Sequence, residues 1–253
     1  MSPTDSSSSS TDIPTDSAVT QSFDALVVLS GGQDSTTCLY WALARWGTGR
    51  VTALTFDYGQ RHRLELDCAR RVAILAGVPH EILPINTFAA LGGNALTGDQ
   101  PVPVGDAPVT GLPDTFVPGR NLIFLTFAAA YAYQRGIHHV VTGVAQTDYS
   151  GYPDCRETTL QALEQAISLG MDYSIELHTP LMHLSKAATV ELATTVGALP
   201  VLAFTHTCYN GLQPPCGECS ACLLRAKGFA EAEQVDPLLA RFGQCSAAGV
   251  GGR

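Results

Sequence analysis

The stretch Ala25–Leu29 (ALVVL), running directly into Ser30-Gly31-Gly32-Gln33-Asp34-Ser35, decides the fold. Five apolar residues without alternation describe a strand buried on both faces, as in a parallel sheet covered by helices. Glycines at the end of such a strand permit unusual dihedrals and let an anion approach the backbone. The helix expected from Thr36 to about Trp46 aims free N–H groups and the positive end of its dipole at that turn. Asp34 and Ser35 are expected to cap the first turn, with the Ser30 and Ser35 hydroxyls donating to phosphate oxygens. An ordinary strand-to-helix turn draws on the same residue types; the buried strand in front favours the anion site. The chain contains no Gly-x-x-x-x-Gly-Lys-Ser/Thr and no Gly-x-Gly-x-x-Gly, so neither a Walker-type NTPase nor a dinucleotide fold is supported.

Outward from this turn, Val51 to Phe56 reads as a second strand, Arg61 to Ala76 as a helix and Glu81 to Ile85 as a third strand. The alternation predicts an α/β domain of Rossmann type, a parallel sheet with helices on both faces. Asn121 to Arg135, Thr158 to Leu169, Ser185 to Val196 and Leu223 to Glu233 read as helices, and His139 to Val144 as a strand. Residues 86–119 are rich in Gly, Pro and Asp without a period, which suggests a lid or substrate loop. Ligands of open α/β sheets collect beyond the carboxyl ends of the strands. Asp57, just after the second strand, is therefore a candidate for the ribose or adenine, with a plain loop as the alternative.

A chain of 253 residues with 45% apolar residues suffices for one large domain, or for a domain with a small appendage. Residues 1–22 are Ser, Thr, Asp and Pro with little to bury, and are expected to form a disordered tail. The domain is expected over 23–242, and the Gly-rich 243–253 as a flexible end. The tail lacks the apolar segment of a secretory signal and the Arg of a transit peptide, and no run reaches the ~18 residues of a membrane span. A cytoplasmic protein without membrane contact is expected. The net charge of −9 argues against direct nucleic-acid binding, which rests on clustered Lys and Arg.

Four of the eight cysteines, Cys208, Cys216, Cys219 and Cys222, crowd into one segment. Four thiolates satisfy a tetrahedral zinc and leave no open position, so a structural ion in a module at about 205–230 is expected. Such an ion contributes on the order of 10 kcal/mol to ordering its segment. Disulfides, disfavoured by a reducing compartment, and an iron–sulfur cluster are the alternatives. Cys38, Cys68, Cys155 and Cys245 read as small hydrophobes. His178 and His183 stand at no ligand spacing and read as structural.

The Ser-Gly-Gly-x-Asp-Ser turn resembles the signature loop of the ATP pyrophosphatase superfamily. A more specific resemblance runs from about Asp24 to Phe242. It rests on Leu29–Leu39, Phe56-Asp-Tyr-Gly-Gln-Arg-His62, Val117-Pro-Gly-Arg-Asn121 and Thr142-Gly-Val144. Further along it rests on Asp148-Tyr-Ser-Gly-Tyr-Pro-Asp-Cys-Arg156, Thr179-Pro-Leu-Met182 and Cys208-Tyr-Asn-Gly211 with the three later cysteines. In this order the segments resemble the 7-cyano-7-deazaguanine synthases of queuosine biosynthesis. The resemblance implies conversion of 7-carboxy-7-deazaguanine, ammonium and ATP to the 7-cyano compound, with magnesium, one zinc on the four cysteines and a homodimer.

On that resemblance ATP lies along Leu29, Ser30, Gly31, Gly32, Gln33, Asp34, Ser35, Thr36, Thr37, Cys38 and Leu39, with Asp57 nearby. Asp34, Ser35, Lys186 and Arg120 are the candidates for catalysis, Lys186 and Arg120 stabilising pyrophosphate. Asp148 and Asp154 compete to read the guanine-like edge, whose N–H donors suit a buried carboxylate. Arg156 is available for the 7-carboxylate, Asn121 follows Arg120 at a helix start, and Tyr149 and Tyr152 are candidates to stack on the ring. No segment resembles a glutamine amidotransferase, so free ammonium is the expected nitrogen source. A tRNA-modifying pyrophosphatase, a ligase passing the deazapurine to an amine on a protein, and a non-catalytic zinc-stapled nucleotide binder are the competing readings.

Overall fold

The structure, a computed structural model, describes residues 22–60, 63–85, 87, 116–146 and 152–244. The expected tail, apart from residue 22, and the end from 245 onward lie outside the described residues, as do nearly all of the expected lid and also Asp148 and Tyr149.

Five parallel strands form one sheet in the order β3-β2-β1-β4-β5. They are β1 (Ala25–Val28), β2 (Val51–Asp57), β3 (His80–Pro84), β4 (His139–Val141) and β5 (Glu176–His178). Strand order reverses between β1 and β4, which opens the crevice where ligands of such sheets bind. β4 is shorter than expected, and β5 is a three-residue edge strand that the sequence pattern does not announce.

Alternation along the strands sorts two cores. Leu26, Leu54, Phe56 and Val140 face one side, packed by Leu125, Ala128 and Ala132 of α3 (Arg120–Tyr133) and Leu160 and Ile167 of α4 (Glu157–Met171). Ala25, Val27, Val51, Ala53 and Val141 face the other, packed by Cys38, Leu39 and Ala42 of α1 (Gln33–Trp46) and Ala69 and Val72 of α2 (Leu64–Ala76). Both faces of β1 are thus covered, which is why its sequence reads as an unbroken apolar run.

Beyond the sheet, α5 (Lys186–Thr195), a 3₁₀ segment (Leu199–Phe204), α6 (Ser220–Glu231) and the short α7 (Pro237–Arg241) pack together around Val190, Ala193, Leu202 and Phe229. A buried ion pair joins these pieces. The Arg225 guanidinium binds both Asp236 oxygens at 2.7 and 2.8 Å, with side chains 5% and 4% exposed. It also donates to Thr205 Oγ1, Thr207 Oγ1 and the Leu202 carbonyl, while Asp236 Oδ1 accepts the Leu238 N–H at the start of α7. Arg225→Ala leaves the Asp236 carboxylate buried without its partner, a loss of about 3–5 kcal/mol. Urea denaturation of the variant is expected to show a midpoint lowered accordingly.

Candidate active site

The anion loop is held in place from behind. Gly31 has φ +83°, and a Cβ there would come within 2.4 Å of the Glu65 carbonyl and 2.8 Å of the Ala69 nitrogen, so α2 lies directly against the turn. On the other side the Gly31 carbonyl accepts the His206 N–H at 2.9 Å. The helix α1 begins at Gln33, three residues earlier than expected, with Gly32 as N-cap and no side-chain cap. Asp34 therefore does not cap the turn. Its carboxylate instead meets Lys186 Nζ at 2.7 Å, 152 residues away in sequence. Ser35 Oγ lies 3.0 Å from Ser30 Oγ and accepts the Ser30 N–H at 3.1 Å, which closes the loop on itself.

In front of the loop is a cavity of 340 Å3, inside the range of about 300–1,000 Å3 typical of small-molecule sites. Leu29, Ser30, Gly32, Gln33, Asp34 and Ser35 form its base; Thr142, Gly143 and Val144 follow from β4. Phe56, Tyr58, Gln60 and Glu65 line one side and Arg120, Asn121 and Phe124 of α3 another, with Lys186, His206, Thr207, Tyr209 and Arg225 of α6 among the rest. Phe124 stacks on Phe56 at 4.7 Å and leans on Tyr58 at 5.2 Å, a flat apolar surface suited to a heterocycle.

Polar groups in this wall stand ready for a ligand. Gln33 is 5% exposed and its amide nitrogen is buried without a hydrogen-bond partner among the described residues. A buried donor left unpaired costs about 1–3 kcal/mol, which a ligand oxygen would recover. Burial lifts the Glu65 carboxyl to about 7, against the pull of Arg120. Burial likewise lifts the Tyr58 phenol to about 12, again opposed by Arg120. Lys186 is positioned by a close helix contact, because a Cβ on Gly228 of α6 would come within 2.7 Å of Lys186 Cβ.

Several expected nucleotide contacts lie elsewhere. Thr36, Thr37, Cys38 and Leu39 are fully buried in α1, the two hydroxyls bonded to the Gly32 and Gln33 carbonyls and the Cys38 thiol donating to the Thr142 carbonyl. The helical turn points them into the core, and they do not line the cavity. Gly31 supports the loop from behind. Asp57 also lies outside the lining, its carboxylate 3.3 Å from Arg63.

The expected substrate residues divide in the same way. Asn121 lines the cavity, but Asp154, 4% exposed, does not; its Oδ2 accepts the Asn121 N–H at 3.0 Å and so caps the start of α3. Tyr152 is buried against Phe116 at 5.5 Å, and Arg156 is exposed as N-cap of α4; neither lines the cavity. Asp148 lies outside the described residues. Glu65, Tyr58, Gln60, His206 and Tyr209 were not among the sequence candidates. Tyr58 and Gln60 stand in the same quoted segment as Asp57, whereas Glu65 carries no motif at all.

Beside the cavity, Cys208, Cys216, Cys219 and Cys222 bring their Sγ atoms within 4.8 Å of one another. Cys216 and Cys222 Sγ are 3.9 Å apart, close to the ~3.8 Å edge of a tetrahedron with metal–sulfur bonds of about 2.3 Å. The Cys216 and Cys219 N–H groups point at Cys208 and Cys216 sulfurs at 3.5 and 3.4 Å, a placement that suits thiolates. The donor set fits a closed tetrahedral metal. His206 connects the cluster to the anion loop, its Nε2 lying 2.8 Å from the Cys208 carbonyl.

A family model described as queuosine biosynthesis protein QueC matches residues 24–233. A protein of Chromobacterium violaceum named 7-cyano-7-deazaguanine synthase is 71% identical over 218 residues, 86% of this chain and 93% of that protein. A Laribacter hongkongensis protein of the same name is 71% identical over 219 residues, 86% and 95% of the two chains. A Clostridium acetobutylicum protein, again so named, is 49% identical over 213 residues, 83% of this chain and 95% of its own. A glycine turn at the switch point of a parallel sheet, a cavity in front of it and a four-cysteine cluster beside it that could hold a metal thus occur in a chain that belongs to the QueC family of queuosine biosynthesis proteins.

Proposed function

We propose that this chain is a carbon–nitrogen ligase converting 7-carboxy-7-deazaguanine and ammonia to 7-cyano-7-deazaguanine at the expense of ATP. The observation that carries the reading is the Asp34–Lys186 contact of 2.7 Å at the base of the cavity, where the anion loop opens. A carboxylate is a poor acyl donor because oxide would have to leave. Attack of its oxygen on the α-phosphorus of ATP expels pyrophosphate and makes an acyl-adenylate, which ammonia opens to the amide. Adenylation of the amide oxygen then makes that oxygen a leaving group, and loss of AMP gives the nitrile.

The loop N–H groups and the start of α1 cradle the phosphates. Lys186 and Arg120 supply positive charge for the departing pyrophosphate, where a low-dielectric site makes such charge effective. Asp34 is the carboxylate that would hold magnesium, which supplies further charge to the phosphates. The Gln33 amide donates to a substrate or phosphate oxygen, and the Phe56–Phe124 surface supports the deazapurine ring. Glu65, titrating near neutrality, accepts protons released when ammonium and the amide nitrogen react. Tyr152, Asp154 and Asn121 act together by fixing the start of α3, and thereby Arg120.

A zinc ion on the four cysteines serves structure only, because four thiolates leave no site for substrate. The remaining parts of the reading are a homodimer, a cytoplasmic location and no direct contact with nucleic acid. The last of these accords with the net charge of −9.

Incubation with 7-carboxy-7-deazaguanine, ammonium and Mg-ATP is expected to yield nitrile with twice as much AMP and pyrophosphate. Accumulation of ADP and orthophosphate would overturn the scheme. Lys186→Ala is expected to lower kcat about 10²–10³-fold, the cost of removing one charge-stabilising donor, measured as AMP release. The Glu65 carboxyl is raised when folded, so the folded state holds its proton more tightly, and stability falls as pH rises from about 4.5 to about 7. Glu65→Gln is expected to flatten that fall in denaturation midpoints and to remove the limb of the rate profile that rises toward pH 7.

A further inference from the structure

On the α1 face of the sheet, toward its edge, His139 of β4 meets Glu176 and His178 of β5. None of the three lines the ATP cavity. Strand register brings them together: His139 lies opposite Glu176, and Val141 opposite His178. Alternate residues of a strand share a face, so three donors from two adjacent strands project to one side. Glu176 and His178 lie 37 and 39 residues beyond His139 in sequence, so no local pattern joins all three.

The three contacts form a small triangle. His139 Nδ1 is 3.2 Å from Glu176 Oε2 and 3.1 Å from His178 Nε2, and His178 Nε2 is 3.5 Å from Glu176 Oε1. Two N–H groups, one on each ring and each aimed at its own Glu176 oxygen, would face each other across the 3.1 Å nitrogen–nitrogen contact, whereas a cation is bound by both nitrogen lone pairs and a carboxylate oxygen at once. A tetrahedral zinc with nitrogen and oxygen ligands at about 2.0–2.1 Å places those ligands about 3.3–3.4 Å apart. The nitrogen–nitrogen contact of 3.1 Å and the Nδ1–Oε2 contact of 3.2 Å lie slightly inside that value, and the second carboxylate oxygen stands 3.5 Å from His178. The His178 side chain is only 10% exposed while Glu176 is 57% exposed, so the triangle has a closed back and one side open to solvent.

The back is aromatic. Trp46 lies 5.2 Å from each imidazole and Trp41 5.8 Å from His178, which fixes the ring planes as outer-shell packing does in metal sites. The Arg45 guanidinium rests over the same two tryptophans at 5.5 and 5.1 Å, a positive neighbour that holds affinity below that of an all-thiolate site.

From this geometry we infer that His139, Glu176 and His178 form a second divalent transition-metal site, which takes Zn2+ on two imidazoles and one carboxylate with water in the fourth position. Unlike the four-cysteine cluster, it keeps an exchangeable position and borders solvent. The test starts from full-length protein carrying one zinc per chain on its cysteines, titrated with Zn2+ by calorimetry and counted by elemental analysis. A second equivalent is expected, and it should bind about tenfold or more weakly after Glu176→Gln, since even outer-shell changes cost that much. His139→Ala and His178→Ala should abolish it. Co2+ added to the zinc-loaded protein should give ligand-field bands without thiolate charge transfer. Absence of a second equivalent would overturn the inference, as would a second equivalent of unchanged affinity in Glu176→Gln. Glu176 is largely exposed, so that variant keeps its fold even where a histidine variant does not.

Discussion

A single backbone hydrogen bond, His206 N–H to the Gly31 carbonyl at 2.9 Å, joins the two halves of this molecule's chemistry. Gly31 belongs to the anion loop after β1, and His206 leads into the cysteine cluster, touching the Cys208 carbonyl with its ring. Gly31 adopts a positive φ, and its lack of a Cβ lets α2 lie directly against the turn. The loop is thus clamped between a helix of the sheet domain and the segment that a metal would order. Within the loop the Ser30 and Gly32 N–H groups are held by the Ser35 and Ser30 hydroxyls, which is how a flexible glycine turn becomes rigid.

The electrostatics of the cavity follow from the same packing. The chain carries a formal charge of −9, yet Arg120 and Lys186 converge on one small volume that suits a triphosphate. Lys186 arrives there by the approach of α6 to α5 at Gly228, and Arg120 by the capped start of α3. Glu65 sits among these cations, and burial still wins, leaving its carboxyl near neutrality. The cavity therefore combines two cations with a carboxyl able to take up a proton near neutrality.

Much of this was legible because the informative features are local. The buried strand, the glycine turn and the following helix occupy consecutive residues, and one segment holds all four clustered cysteines. Inside the loop motif the linear reading overreached. Thr36 to Leu39 continue the motif, but an α-helix turns about 100° per residue, and the side chains after Ser35 enter the core. Asp154 reads as a ligand-binding acid from its neighbours, while its carboxylate serves a helix N-terminus. Glu65 stayed invisible because a glutamate in the first turn of an amphipathic helix is commonplace. Its surroundings, supplied by α3 and β2, set its character.

By itself the sequence determined the parallel α/β architecture, the position of the glycine turn after β1 and the clustering of four cysteines that could hold a metal. Each of these rests on patterns within one element or one turn, where periodicity and spacing translate directly into geometry. Only the tertiary structure decided that Lys186 meets Asp34, that Glu65 faces the cavity, and that His139, Glu176 and His178 converge. Those contacts join residues far apart along the chain through strand register and helix packing. Such distances depend on how whole elements close on one another, and no local pattern encodes them.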